Sequence, residues 1–287
     1  MQPLFSDAGR ARLEQIVQPG LLCAFDFDGT LAPIVTEPGA AHMDPEVLQR
    51  LLQLAELAPV AVLTGRSLED IRARLGFSPA YLIGNHGLEG MADESELVRH
   101  EQICRAWHAQ LTQQLGKLRD AGAGIILEDK RYSLSLHYRA TPDHVASAAM
   151  LAALAARLDP APRIVGGKCV INLLPPGVAD KGNALRELLR RSGAHGAIYV
   201  GDDITDESVF RLRHAGLLSV RVECAAGSAA EFCIPGHADI GRLLDQLIGR
   251  LRRHGPQLRG PGLEEADKTR SGQAGAAPPH GYGIMKS

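Results

Sequence analysis

The sequence predicts an α/β chain: a doubly wound parallel (Rossmann-like) sheet interrupted by an inserted α+β module. Three observations carry this. Short apolar runs of strand length recur between amphipathic stretches, as in strands buried on both faces. Each early run ends in polar residues and glycine, where open α/β sheets bind ligands. Midway the pattern changes to long helices and paired strands, and the first rhythm returns after Pro175-Pro176-Gly177.

The elements follow in order. After the turn signal Pro19-Gly20, the run at 21–25 predicts a strand that ends in Asp26-Phe27-Asp28-Gly29-Thr30. Residues 45–58 predict an amphipathic helix, with Val47, Leu48, Leu51, Leu54, Ala55 and Ala58 on one stripe. Pro59 breaks it, and 60–63 is a second buried strand closed by Thr64-Gly65-Arg66. Residues 67–75 predict a helix whose Ser67 and Asp70 have the spacing of a weakened capping box. A third strand at 81–83 ends in Gly84-Asn85-His86-Gly87.

In the middle, 97–119 predicts one long helix carrying the only tryptophan, Trp107. Strands follow at 124–127 and 132–139. The second alternates, with Leu134, Leu136 and Tyr138 on a dry face and Ser133, Ser135, His137 and Arg139 on a wet or ligand-bearing one. An Ala-rich helix at 142–158 precedes strands at 163–165 and 168–174, split by Gly166-Gly167. The rhythm then resumes: helix 180–191, strand 197–200, the run Gly201 through Glu207, helix 208–215, strand 218–222 and helix 240–252. The expected organisation is a core of 1–88 and 175–252, a cap of 89–174 and a disordered tail of 253–287. From Gly255 on, seven Gly and four Pro with no apolar period support the tail.

The 287 residues, 45% hydrophobic and 22% charged, suffice for a full core without staples. A net charge of −2 argues against a nucleic-acid binder and leaves small-molecule chemistry. Five cysteines, odd in number and widely spaced, argue against a disulfide framework and a structural zinc site. Four lie among apolar neighbours and read as buried thiols. No apolar run approaches a membrane span, and the N-terminus lacks a long apolar stretch, so the expected location is the cytoplasm. Oligomeric state is left open.

The chemistry-bearing residues are mostly acidic. Asp26 and Asp28 project to one side of an extended segment, and two such carboxylates repel unless a proton or cation lies between them. A lone pair of this kind is as readily a helix cap. Asp202, Asp203 and Asp206 follow another buried strand with no adjacent base and suit a hard cation such as Mg²⁺. Asp206 alternatively caps the next helix. Thr64 and the Gly65 amide form a small anion cradle. Lys181, at a helix start, opposes the helix dipole unless an external anion sits there. Together these are the parts of phosphoryl transfer through an aspartyl phosphate: a carboxylate nucleophile, a second acid for proton transfer, and cations that neutralise the phosphoryl charge.

DFDGT, VLTGR, Asp180-Lys181-Gly182 and GDDITDE resemble, in order, the four motifs of the haloacid dehalogenase superfamily. Together with GNHG, Glu128-Asp129-Lys130 and His137-Tyr138-Arg139, they resemble the trehalose-6-phosphate phosphatase family over about 21–251. The resemblance implies Mg²⁺-dependent hydrolysis of a sugar phosphate, trehalose 6-phosphate, as the last step of trehalose biosynthesis. It implies Asp26 as nucleophile and Asp28 as general acid/base. Metal would be held by Asp26, the Asp28 carbonyl and Asp202, with Asp203 and Asp206 nearby. Thr64, Gly65 and Lys181 would bind phosphate, and Glu128 and Lys130 of the cap would contact sugar. His86, Arg139 and Asn172 are further candidates for sugar contact, each with a structural role as the alternative for His86 and Arg139. One departure is Asn172-Leu173-Leu174-Pro175, where the family often carries Glu and then a basic residue. A phosphatase for sucrose or mannosyl phosphate, a phosphosugar mutase and a non-catalytic sensor of the same fold are the rivals.

Overall fold

The computed structural model describes residues 1–35, 38–117 and 124–254. The elements of the first part are β1 (Gln2–Pro3), α1 (Asp7–Ile16), β2 (Leu21–Phe25), α2 (Pro45–Leu57), β3 (Val60–Leu63), α3 (Leu68–Leu75) and β4 (Tyr81–Ile83). The middle holds α4 (Glu94–Lys117), β5 (Ile126–Asp129), β6 (Leu134–His137), α5 (His144–Ala155), β7 (Arg163–Gly167) and β8 (Val170–Leu174). The last part holds α6 (Lys181–Ser192), β9 (Gly196–Gly201), α7 (Glu207–Phe210), β10 (Leu217–Val222), β11 (Phe232–Ile234) and α8 (Ile240–Arg253).

Seven parallel strands form one sheet in the order β1-β11-β10-β9-β2-β3-β4, and four antiparallel strands form a second, β5-β6-β8-β7. The doubly wound core and the α+β insertion expected from the apolar runs are both present. β2 shows why the run is continuous: Leu21, Cys23 and Phe25 pack into one apolar layer, Leu22 and Ala24 into the other. The first layer is closed by Leu51 and Leu54 of α2, Ile71 of α3 and Leu243 and Leu247 of α8. The second is closed by Leu185 and Leu188 of α6. Trp107 of α4 lies fully buried with Leu134, Leu136, Leu151 and Leu173, and so builds the cap its own core. Its indole N–H donates to the Pro160 carbonyl at 3.0 Å.

Several boundaries differ from expectation. β1 and α1 carry too little apolar period to be seen: only Gly9, Leu13 and Ile16 of α1 are buried. β11 is likewise a three-residue strand. β5 starts at Ile126 and β6 spans Leu134–His137, shorter than expected. Gly166 and Gly167 do not split β7 from β8; both pair in the ladder, and the turn falls at Lys168-Cys169, with Cys169 at φ +60°. The helix expected over 208–215 ends at Phe210, because nothing from Arg211 to Gly216 is buried to extend it. On the face of this strand expected to be wet or ligand-bearing, Ser133 and Ser135 are buried while His137 and Arg139 stay partly exposed. α8 runs to Arg253, into the expected tail; the tail from 255 on, and the end of the long helix at Arg119, lie outside the described residues.

The cysteine reading needs correction. Cys224 and Cys233 form a disulfide with Cα atoms 5.3 Å apart. The chain leaves β10 and returns through β11, its sheet neighbour, so a short sequence separation becomes lateral contact. Cys23, Cys104 and Cys169 are free. Burial pushes the Cys23 and Cys104 thiols up to about 12. No helix among the described residues is long and apolar enough to cross a membrane.

Alkylation under native conditions at pH 8 should therefore modify Cys169 and spare Cys23 and Cys104, whose thiolate fraction is of order 10⁻⁴. Denaturation without reductant should expose three thiols in all, and reduction five, read by mass spectrometry. Five without reductant would remove the Cys224–Cys233 bond.

Candidate active site

Asp26 follows β2 and Asp202 follows β9, and these strands are neighbours. From them the chain winds outward both ways, through β3 and β4 on one side and β10 and β11 on the other. Their C-terminal ends thus form the crevice of a topological switch point. Carboxylate oxygens of Asp26, Asp202 and Asp206 lie within 4.8 Å of one another, and all three residues are buried.

Lys181 holds this cluster. It is the first residue of α6, behind the N-cap Asp180. Its Nζ lies 2.9 Å from Asp26 Oδ1 and 2.8 Å from Asp206 Oδ1. Burial alone would lower the Lys181 ammonium; Asp206 and Asp26 overcome that and raise it. Burial pushes Asp26 upward, Lys181 opposes the rise, and Asp206 and Asp202 add to it. Asp202 is raised to about 7 by burial and Asp206, against Lys168.

Asp206 is saturated. Oδ1 accepts from Lys181 and from the Tyr199 hydroxyl at 2.6 Å, while Oδ2 accepts the backbone N–H groups of Asp202 and Asp203. It anchors the loop and leaves little lone-pair capacity for a metal. Asp202 is the opposite: its Oδ1 is buried without a partner, while Oδ2 meets Lys168 Nζ at 3.2 Å. A hard cation fits that orphaned oxygen. Gly29, at φ +84°, makes room for it, since a Cβ there would stand 2.2 Å from Asp202 Oδ2. This oxygen-only donor set suits a divalent cation.

A cavity of about 350 Å³ opens over the cluster, between core and cap. Asp26, Asp28, Gly65, His86, Lys181, Asp202 and Asp203 line its core side; Glu128, Lys130, His137, Arg139 and Asn172 line its cap side. The structure thus brings together nearly every residue singled out from sequence. Thr64 is fully buried, with its hydroxyl accepting the Arg66 N–H at 3.2 Å, and the wall at that point is Gly65. Asp28 stands apart from the metal cluster: Arg66 grips both its oxygens, at 2.6 and 2.7 Å. Asn172 is committed within the cap sheet, accepting from Ser135 Oγ at 2.7 Å and donating to the Val165 carbonyl at 3.3 Å.

The cap groups are tied down as well. Glu128 Oε2 lies 2.7 Å from His137 Nε2, and Lys130 Nζ donates to the Gly65 carbonyl at 3.2 Å. Arg139 donates to the Val35 and Lys168 carbonyls. Arg66, Lys168 and Asn85 had no assigned place in the sequence reading. Asn85, fully buried, donates to the Lys130 carbonyl at 3.2 Å and accepts from Ser133 Oγ at 2.5 Å, bolting the cap hairpin to the core. Asn85 and His86 both take positive φ, 46° and 60°. Such strain in consecutive non-glycine residues marks a conformation imposed by its surroundings. His86 packs its ring on Gly65, where a Cβ would lie 2.4 Å from it.

The trehalose-phosphatase family model matches residues 24–231. The chain belongs to that family. Trehalose-phosphate phosphatase of Mycolicibacterium paratuberculosis is 36% identical over 245 residues, 80% of this chain and 62% of the relative. The chain thus spans about three fifths of the length of the curated relatives it matches. The C-terminal domain of C. albicans trehalose-6-phosphate phosphatase superposes with a TM-score of 0.66 at 19% identity, covering 87% of this chain and 98% of that one. The C-terminal domain of a Candida albicans trehalose synthase regulatory protein reaches 0.59 at 14%, covering 86% and 99%. The family and its haloacid-dehalogenase-type fold are settled by these matches; at such identities the structures speak for the fold alone.

Asp206→Ala should lower the unfolding free energy by about 3–5 kcal/mol, because it takes one of two carboxylate partners from a buried ammonium and leaves three further donors unpaired. Urea denaturation of the metal-free protein measures this. A loss under 1 kcal/mol would mean that Asp206 does not anchor the loop.

Proposed function

We propose that this chain hydrolyses trehalose 6-phosphate to trehalose and phosphate in two steps, through an aspartyl phosphate on Asp26, with Mg²⁺ as its metal. The observation that supports it most is Asp26 itself: a carboxylate at the switch point, one oxygen against the Lys181 ammonium, opening into a cavity that also holds Asp28 and the cap polar groups. The core of 1–88 and 175–252 would do the chemistry, and the cap of 89–174 would choose the sugar.

Phosphate monoesters hydrolyse so slowly unaided that the site must supply ~20 kcal/mol or more. Asp26 attacks phosphorus, and the sugar oxygen leaves. Lys181 and the Gly65 amide face the phosphoryl oxygens and favour the charge that develops there. Asp26, Asp202 and the Asp28 backbone carbonyl would hold the cation, which when bound neutralises phosphoryl charge so that an anionic carboxylate can approach. Asp28 protonates the departing sugar oxygen and then takes a proton from the water that attacks the phosphoenzyme. Arg66 keeps the Asp28 carboxylate at the cavity wall, two residues from the nucleophile; to act as the acid, Asp28 leaves this grip and takes a proton from solvent before the sugar oxygen departs. Glu128 and Lys130 would recognise the disaccharide, and the cap above Asp26 would exclude water until the first step is complete.

Phosphate release should be measured on trehalose 6-phosphate, sucrose 6-phosphate and glucose 6-phosphate with Mg²⁺. The proposal expects the first to dominate; preference for either of the others moves the substrate elsewhere in the superfamily. Asp26→Asn should be folded and inactive, and full activity in that variant or in excess EDTA contradicts the mechanism. Asp28→Asn should lose roughly 10²–10⁴ in turnover with little change in Mg²⁺ affinity. Glu128→Ala and Lys130→Ala should each cost about 1–3 kcal/mol in kcat/KM for trehalose 6-phosphate, and much less for p-nitrophenyl phosphate. An equal loss on both substrates would give these two residues a role in the core rather than in sugar selection.

A further inference from the structure

Behind the main cavity lies a second, of about 130 Å³, between β7 of the cap and the segment from Thr205 to Arg211 of the core. His86, Lys181 and Thr205 line both cavities and so form the partition between them. The second is too small for a disaccharide, and its charge is unlike that of the first. Arg163 and Arg211 enter it from opposite sides, and among the described residues Asp180 is its one carboxylate. Asp180 is occupied in capping α6 through Asn183 N at 2.8 Å and stands 3.9 Å from Arg163 Nη1. Arg211 Nη2 is 3.6 Å from Glu207, a loose pairing at an exposed side chain.

Two sets of polar atoms here are left over. Arg163 Nε is buried without a hydrogen-bond partner. Both ring nitrogens of His86, a residue only 7% exposed, are in the same condition; the Asn172 amide approaches the ring without closing a bond. Unmet buried donors of this kind are rare in folded proteins and cost about 1–3 kcal/mol each unless something fills them. Burial, together with Lys130, Lys181 and Arg163, keeps the His86 imidazole neutral, so it offers one N–H. Two guanidinium groups around a space of this size, walled on one side by a neutral imidazole, make a donor set for a small tetrahedral anion.

We propose that this second cavity binds a small oxyanion, and that inorganic phosphate released at Asp26 is one that occupies it. That source of the phosphate rests on the proposed phosphatase reaction; the anion site itself does not. The partition is shared, so phosphate can leave on the side away from the sugar while the disaccharide pocket is free for new substrate.

The test exploits product inhibition. In a two-step reaction that releases the sugar first, phosphate bound only at Asp26 competes with substrate and changes only the slope of a double-reciprocal plot. Occupancy of a second site adds an intercept effect. Trehalose formation from trehalose 6-phosphate should be followed with added phosphate, alongside calorimetric titration of phosphate into the Mg²⁺-loaded chain of 287 residues. The proposal expects mixed inhibition and two calorimetric sites in the native protein. Arg163→Gln or Arg211→Gln should raise the intercept constant at least tenfold and remove one calorimetric site, with kcat and KM in the absence of phosphate changed less than twofold. Purely competitive inhibition with a single site, or an intercept constant unmoved in both variants, overturns it. Failure of the native protein to turn over trehalose 6-phosphate would sink the proposed reaction alone, because the calorimetric comparison still reads the cavity.

Discussion

One buried ammonium makes the rest of this structure possible. Three carboxylates within 4.8 Å at the centre of a sheet would repel too strongly to remain ionised. Lys181 stands between two of them, 2.9 Å from Asp26 and 2.8 Å from Asp206. Its placement comes from helix α6, whose first turn is fixed by the Asp180 cap and by Gly182 N donating to Ser208 Oγ at 3.1 Å. Asp206 passes the constraint on: its four accepted bonds fix Tyr199 on β9 and the backbone of Asp202 and Asp203. Asp202 is then held with one oxygen unsatisfied beside Asp26. The reactive geometry thus follows from satisfying one buried charge.

The cap depends on the core through a different set of bonds. Asn85 joins the core loop to the cap hairpin, Lys130 reaches the Gly65 carbonyl, Arg139 the Val35 carbonyl and Lys168 the Asp202 carboxylate. The last three of these contacts join residues that line the cavity, so cap position and cavity shape are coupled by shared atoms. Asn172 does not take part. Its amide is spent inside the cap sheet, and the neutral residue at this departure from the family pattern serves strand pairing in this conformation.

Much of this was legible in sequence because the signals were strong. Continuous apolar runs of strand length bounded by turn signals suit central strands of a sheet covered on both faces, and the acids that follow them fall at one crevice by topology. Hence Asp26, Asp202 and Lys181 converge although they are far apart in the chain. The illegible parts share a cause: they are short, or their role depends on a distant partner. β1, β11 and α7 are too brief to show a period. Arg66 was visible in its motif, but nothing local tells that its guanidinium grips Asp28, 38 residues earlier. Asp206 read equally as cap or metal ligand, and only its four donors show it to be an anchor. Asn85 carried one faint signal, an asparagine directly after a glycine, the residue type that tolerates positive φ. Cys224 and Cys233 looked like separate buried thiols because sheet adjacency, not sequence spacing, pairs them.

The central claim is that a phosphoryl group is carried covalently on Asp26. It is tested most directly by quenching the protein in acid during turnover of trehalose 6-phosphate and reducing the product with borohydride. An acyl phosphate is reduced to the alcohol, so peptide mapping should find homoserine at position 26, dependent on substrate. The same label on another acid, or none despite active turnover, would contradict the account.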